Sequence, residues 1–263
     1  MKLPVLFLMI VMSSMFTGGL ISNSHAAELV DTLKRIKPAV VGVGISEPLA
    51  RPPNQLRGTG FLIADGQYAV TNYHVVEKAL KADGSQRRVI FVGQGERPEI
   101  VEVDIKAFDA THDLAVLKLK QKPKTSFNSL ILAEEEWIDD GSEIAFTGFP
   151  IGAVLGLYPV THRGIVSART PVAIPASNAG QLSIALIRRL KDPFFSYQLD
   201  ATAYPGNSGS AVYAQHSGEV VAIINKVLVK ETKESVLSAP SGITYAIPVK
   251  YLRELLERES IEF

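Results

Sequence analysis

Gln198 to Val212 reads QLDATAYPGNSGSAV, in which Gly206-Asn207-Ser208-Gly209-Ser210 interrupts a chain of strand-forming residues. Glycines at 206 and 209 permit a tight turn around Ser208, and such a turn can aim successive amide hydrogens at one point. A nucleophilic hydroxyl needs that arrangement, because negative charge develops on an oxygen beside it during acyl transfer. The flanks FFSYQL and SAVY are strand-like on both sides, so the serine lies between strands rather than at a strand-to-helix elbow. A surface loop has the same Gly-Asn-Ser composition, so the stretch acquires chemical meaning only from partners elsewhere.

A serine hydroxyl is scarcely acidic at neutral pH and needs a base, most often an imidazole. Of five histidines, His25 falls in the leader, and His112, His162 and His216 have polar neighbours that suit loops or solvent. His74 differs: it follows AVTNY and precedes VVEKAL, at the end of an apolar strand where a helical turn begins. Its ring requires a carboxylate on the far nitrogen. Asp113, at the mouth of the alternating strand in HDLAVLKL, is the preferred candidate; Asp109, upstream in the same turn, is the rival and reads as a solvated acid.

Composition narrows the alternatives. The 263 residues are 46% hydrophobic and 21% charged, enough for a large core, and Lys+Arg and Asp+Glu both number 27. With zero formal charge and no basic tract, nucleic acid is set aside as a partner. Absence of cysteine excludes disulfides, thiol nucleophiles and thiolate metal sites, and no metal or cofactor is called for. Lys2, the apolar run Leu3 to Phe16 and the small residues Ser24 and Ala26 read as a signal peptide over 1–26, with no membrane anchor after cleavage. The mature chain, 27–263, is therefore expected in the bacterial periplasm or outside the cell.

Beyond the leader, Leu29, Val30, Leu33 and Ile36 have helical spacing up to Pro38, and short Val/Ile-rich strands follow. A polar connection at Lys122 to Glu136 separates two strand arrays, one near 38–122 and another near 142–248. Val249, Leu252, Leu255 and Leu256 line one face of a closing helix over about 249–259. Between Thr170 and Pro193 lies an insertion, either a loop near a site or a packed decoration.

Three stretches, VTNYHVV, HDLAVLKL and QLDATAYPGNSGSAV, together resemble the histidine, aspartate and serine motifs of trypsin-like serine proteases of the HtrA/Deg type. LKRIKPAVVGV, GTGFLI, GEVVAI and GITYAIPVKYLREL extend the likeness from about Leu29 to Leu256. The resemblance implies an all-β fold of two six-stranded antiparallel barrels with short terminal helices and a site in the cleft between them. It assigns His74 as general base, Asp113 as orienting carboxylate and Ser208 as nucleophile, with the amides of Gly206 and Ser208 as oxyanion hole. Family members often carry glycine where Ser210 stands, and many continue into a PDZ domain, for which this sequence leaves no room after its last helix. Relatives that cut after Lys or Arg hold an acid where Thr202 stands, so an uncharged or small aliphatic preference is expected, with Ile224, Asn225 and Lys226 along the pocket wall; Lys226 or His162 offers the alternative of an acidic side chain. The expected activity is an endopeptidase on unfolded exported polypeptides. A protease-like binding protein with little cleavage and an esterase are the competing readings.

Overall fold

The computed structural model of the chain describes residues 24–125, 127–150, 156–171, 194–225 and 242–263. Residues 1–23 of the signal-like leader, most of the insertion and Lys226 lie outside these ranges. Strands β1 (Val40–Ser46), β2 (Asn54–Ile63), β3 (Tyr68–Asn72), β4 (Arg87–Val92), β5 (Glu99–Asp109) and β6 (Leu114–Leu119) close into one barrel in the order β1-β2-β3-β6-β5-β4. Strands β7 (Glu143–Gly148), β8 (Val160–Pro171), β9 (Phe195–Asp200), β10 (Ala211–Ala214), β11 (Val220–Asn225) and β12 (Ile243–Pro248) close a second, ordered β10-β11-β12-β9-β8-β7. The two six-stranded antiparallel barrels expected from the sequence are both present.

Period-two patterning explains which faces turn inward. On β5, Val101, Val103 and Ala107 are buried while Asp104, Lys106 and Phe108 are exposed. Between Ile105 and Ala107 the pairing with β6 shifts by one residue, leaving Lys106 as the extra residue of a bulge. Strand β11 is buried along its whole length, because helix α3 (Val249–Arg258) packs against its outer side. The helix buries Val249, Leu252, Leu255 and Leu256, the same residues whose spacing marked it in the sequence.

Helix α1 (Ser24–Ile36) lies against the β10–β11 turn, where Arg35 Nη2 donates to Ser217 O at 3.1 Å. Gly218 is required there: its φ is +76°, and a β-carbon would stand 3.1 Å from Thr32 Cγ2. The polar connection read between the strand arrays is held more firmly than its composition suggests. Leu130, Leu132 and Ala133 are buried, Leu130 N donates to Leu62 O in the first barrel (2.8 Å), and Ala133 N donates to Val220 O in the second (2.9 Å). This segment therefore stitches the barrels together as well as linking them.

Candidate active site

Strand β3 ends at Asn72, and the single helical turn α2 (Tyr73–Val76) presents His74. Asn72 has the extended backbone of a helix-capping position, yet its side chain does not cap the helix; Asn72 Nδ2 donates to Asp113 O at 3.1 Å. Tyr73 N donates to the same carbonyl at 3.1 Å, and His74 N donates to Asp113 Oδ1 at 2.8 Å. The other carboxylate oxygen, Oδ2, lies 2.6 Å from His74 Nδ1. An ionised carboxylate can only accept, so the ring proton belongs on Nδ1 and the Nε2 lone pair faces away. Of the two acids weighed from the sequence, Asp113 is the one on the His74 ring.

The serine turn is built as its glycines require. Gly206 and Gly209 have φ of +103° and +87°, Asn207 N donates to Tyr204 O (3.0 Å), and Ser210 N donates to Asn207 O (3.0 Å). Gly209 N donates to Ile224 O at 3.0 Å, fastening the turn to β11. Ser208 is 6% exposed. Among the described residues, neither the Gly206 amide nor the Ser208 amide is spent on a backbone hydrogen bond.

Contacts from the first barrel bring this turn to His74. Thr59 N donates to Ser208 O (2.9 Å), and Thr59 Oγ1 donates to Gly206 O (2.7 Å). A β-carbon on Gly58 would stand 2.8 Å from Val75 Cγ2 and 3.0 Å from Ser208 O, so the neighbour of His74 and the serine carbonyl meet over one glycine. A β-carbon on Gly209 would lie 2.2 Å from Thr59 O and 3.2 Å from Asn72 N. The turns that carry His74 and Ser208 are thus held side by side, and no hydrogen bond joins the two side chains among the described residues.

Behind the turn, Asn207 and Ser210 are fully buried beside Gly148, whose β-carbon would fall 2.2 Å from Ser210 Oγ and 2.8 Å from Asn207 Oδ1. Glycine at 148 is what admits a serine at 210. Thr202 is half-buried, and the adjoining backbone is pinned by Thr244, which accepts from Ala203 N (3.1 Å) and donates to Ala201 O (2.6 Å). Ile224 and Asn225 are buried, Ile224 reaching the serine turn through its carbonyl.

Three side chains depart from the sequence reading. Asp109 is no solvated acid: its side chain is 14% exposed and its Oδ2 lies 2.8 Å from His112 Nδ1. His112, read as a loop or solvent-facing residue, is equally enclosed, and both are covered by residues distant in the chain. His162 is half-buried, its ring stacked on Phe146 at 4.9 Å, and burial pushes its pKa below the ordinary histidine value. Sequence reasoning also missed Thr59; the quoted GTGFLI contained it, but nothing local tells that its hydroxyl meets a turn from the other barrel.

Comparison with known proteins gives a consistent picture. The family model described as "Trypsin-like peptidase domain" matches residues 58–223. A protein of Rhizobium meliloti named "Probable periplasmic serine endoprotease DegP-like" is 31% identical over 202 residues, covering 76% of this chain and 32% of its own. Human "Serine protease HTRA3" is 27% identical, covering 88% of this chain and 46% of its own. The chain thus spans from just under a third to just under a half of the length of these relatives. In structure it is similar to the serine endoprotease from Yersinia pestis (TM-score 0.59, 23% identity, 91% of this chain and 67% of that one). It is also similar to the active form of a protease from M. tuberculosis (TM-score 0.62, 17% identity, 92% and 89%).

Proposed function

Because the chain belongs to the family of trypsin-like peptidase domains, we propose that it is a serine endopeptidase, of the HtrA type, acting on polypeptides through an acyl-enzyme. One observation carries this reading: Asp113 locks the His74 ring with Nε2 outward, beside a serine turn whose Gly206 and Ser208 amides are uncommitted. His74 Nε2 takes the proton of Ser208 Oγ as that oxygen attacks the scissile carbonyl carbon. Charge on the carbonyl oxygen is met by the amides of Gly206 and Ser208. The imidazolium, steadied by Asp113, then protonates the leaving amine, and water repeats the sequence to release the acyl group from Ser208.

Thr202 supplies no negative charge to receive a basic side chain, which favours an uncharged or small aliphatic residue before the scissile bond. The names of the relatives and the leader-like start support an exported protein, in the periplasm or outside the cell; the substrates proposed for it are unfolded exported polypeptides. Among the described residues, no helix is long and apolar enough to cross a membrane.

A fluorophosphonate should label the purified protein on Ser208, and Ser208→Ala should abolish labelling and lower peptide turnover by about 10⁴–10⁶-fold. A second reading, a polypeptide-binding protein with little cleavage, draws support from the missing hydrogen bond between His74 and Ser208. It predicts retention of an unfolded polypeptide without labelling, and that outcome would displace the first.

A further inference from the structure

Asp113 has a left-handed backbone, φ 54°, a conformation that costs a side-chained residue free energy and persists only when held from outside. From one side it is held by Asn72 and Tyr73, which both donate to its carbonyl. On the other side stands His112, and nothing in the His74–Asp113–Ser208 assembly explains how that residue is fixed. Its ring Nδ1 lies 2.8 Å from Asp109 Oδ2, while its amide and that of Thr111 donate to Asp109 Oδ1 at 3.1 and 2.9 Å. The turn from Asp109 to Asp113 is thereby folded around the Asp109 carboxylate.

A lid from the far end of the chain closes over this pair. The Tyr251 ring on α3 stacks on the His112 ring at 4.1 Å with 15° between the planes, and Phe194 meets His112 edge-on at 4.8 Å. Tyr251 is itself fixed, since its hydroxyl accepts from Phe195 N at 3.1 Å. Arg258, also on α3, stands 4.0 Å from Asp109 Oδ2, and Lys250 Nζ lies over the Tyr251 ring, 5.5 Å from its centroid. Within hydrogen-bond reach of the His112 ring, Asp109 is the one carboxylate among the described residues.

We propose that His112 is a positioning residue for the reaction: bonded to Asp109 and capped by Tyr251, it braces the strained turn so that Asp113 meets the His74 ring. This assignment rests on the reading of His74, Asp113 and Ser208 as the reacting group. Its physical basis is that the orienting carboxylate must sit within a fraction of an ångström of its place, and displacement by about 1 Å costs up to about a hundredfold in rate. The same contacts make the closing helix a support for a residue of the first barrel.

The test compares wild type, His112→Ala, His112→Asn and Tyr251→Ala on a peptide substrate, after titrating active sites with a fluorophosphonate. His112→Ala should lower kcat by about tenfold to a hundredfold with KM unchanged, and should move or broaden the low-field proton signal of the His74 Nδ1–H. His112→Asn, whose amide can donate to Asp109 in place of the ring, should recover most of the loss. If His112→Ala fails to fold, Tyr251→Ala, which keeps the His112–Asp109 bond but removes the cap and the acceptor for Phe195 N, should show the same kcat-only loss. Folded variants with wild-type kcat and an unmoved proton signal overturn the brace while leaving the protease reading intact. A wild type that fails to label overturns both.

Discussion

Asp109 and Asp113 occupy one turn, carry the same side chain and answer to different histidines. Burial by itself would raise the Asp109 carboxyl, but hydrogen bonds from the His112 ring and amide, the charge of that ring, and the Thr111 amide outweigh it and hold the pKa at about 2. A folded-state value below the ordinary 3.8 means that the native form binds its proton less readily than the unfolded chain does. The resulting stabilisation is complete above about pH 4 and drains away as pH falls towards about 2. Unfolding followed by circular dichroism across that window should show wild type losing stability faster than Asp109→Asn, which starts lower at neutral pH; equal slopes would count against the assignment. Spacing within the sequence shows that both acids lie in one turn. It is silent on the tyrosine that covers one of the histidines, because Tyr251 arrives from the far end of the chain.

Helix α3 was visible in the spacing of Val249, Leu252, Leu255 and Leu256, since a helix covering an apolar surface must repeat its buried residues every three to four positions. What it covers was not visible. The helix seals β11, reaches the inter-barrel connection through Arg253 Nη1, which donates to Ala133 O (3.3 Å), and lays Tyr251 on His112. Leu255 is fully buried, so Leu255→Ala should lower the free energy of unfolding in guanidinium by about 2–5 kcal/mol. A loss under about 1 kcal/mol would mean that the helix sits loosely on the barrel. The connecting segment teaches the reverse lesson. Its polar composition suggested a plain spacer, yet its backbone pairs with both barrels, and backbone hydrogen bonding leaves no trace in side-chain pattern.

At the scale of the molecule, the approach of the His74 turn to the Ser208 turn depends on how two independently closed barrels are fastened. Thr59 in the first barrel makes the clearest fastening: its hydroxyl donates to Gly206 O (2.7 Å) and accepts from Phe149 N (3.0 Å), both in the second. Thr59→Val keeps the shape and strands both partners. The expected cost is about 1–3 kcal/mol for each buried group left unpaired, with slower fluorophosphonate labelling because the Gly206 carbonyl loses its anchor. Unchanged unfolding and labelling would show that the barrels are aligned by other contacts.

Residue order alone determined the alternating strands, the two groups into which they fall, the glycine-bounded turn at Ser208 and the histidine at a strand end. Each is a matter of local period or backbone freedom, and such features are written in neighbouring residues. Barrel closure decided the rest: how closely Asp113, already preferred from its strand-start position, meets the His74 ring, that Thr59 reaches the serine turn, and that a second histidine–aspartate pair is sealed beneath a distant helix. Those outcomes depend on which surfaces come within a few ångströms once both sheets have curled shut, and no local pattern encodes a distance between residues so far apart along the chain.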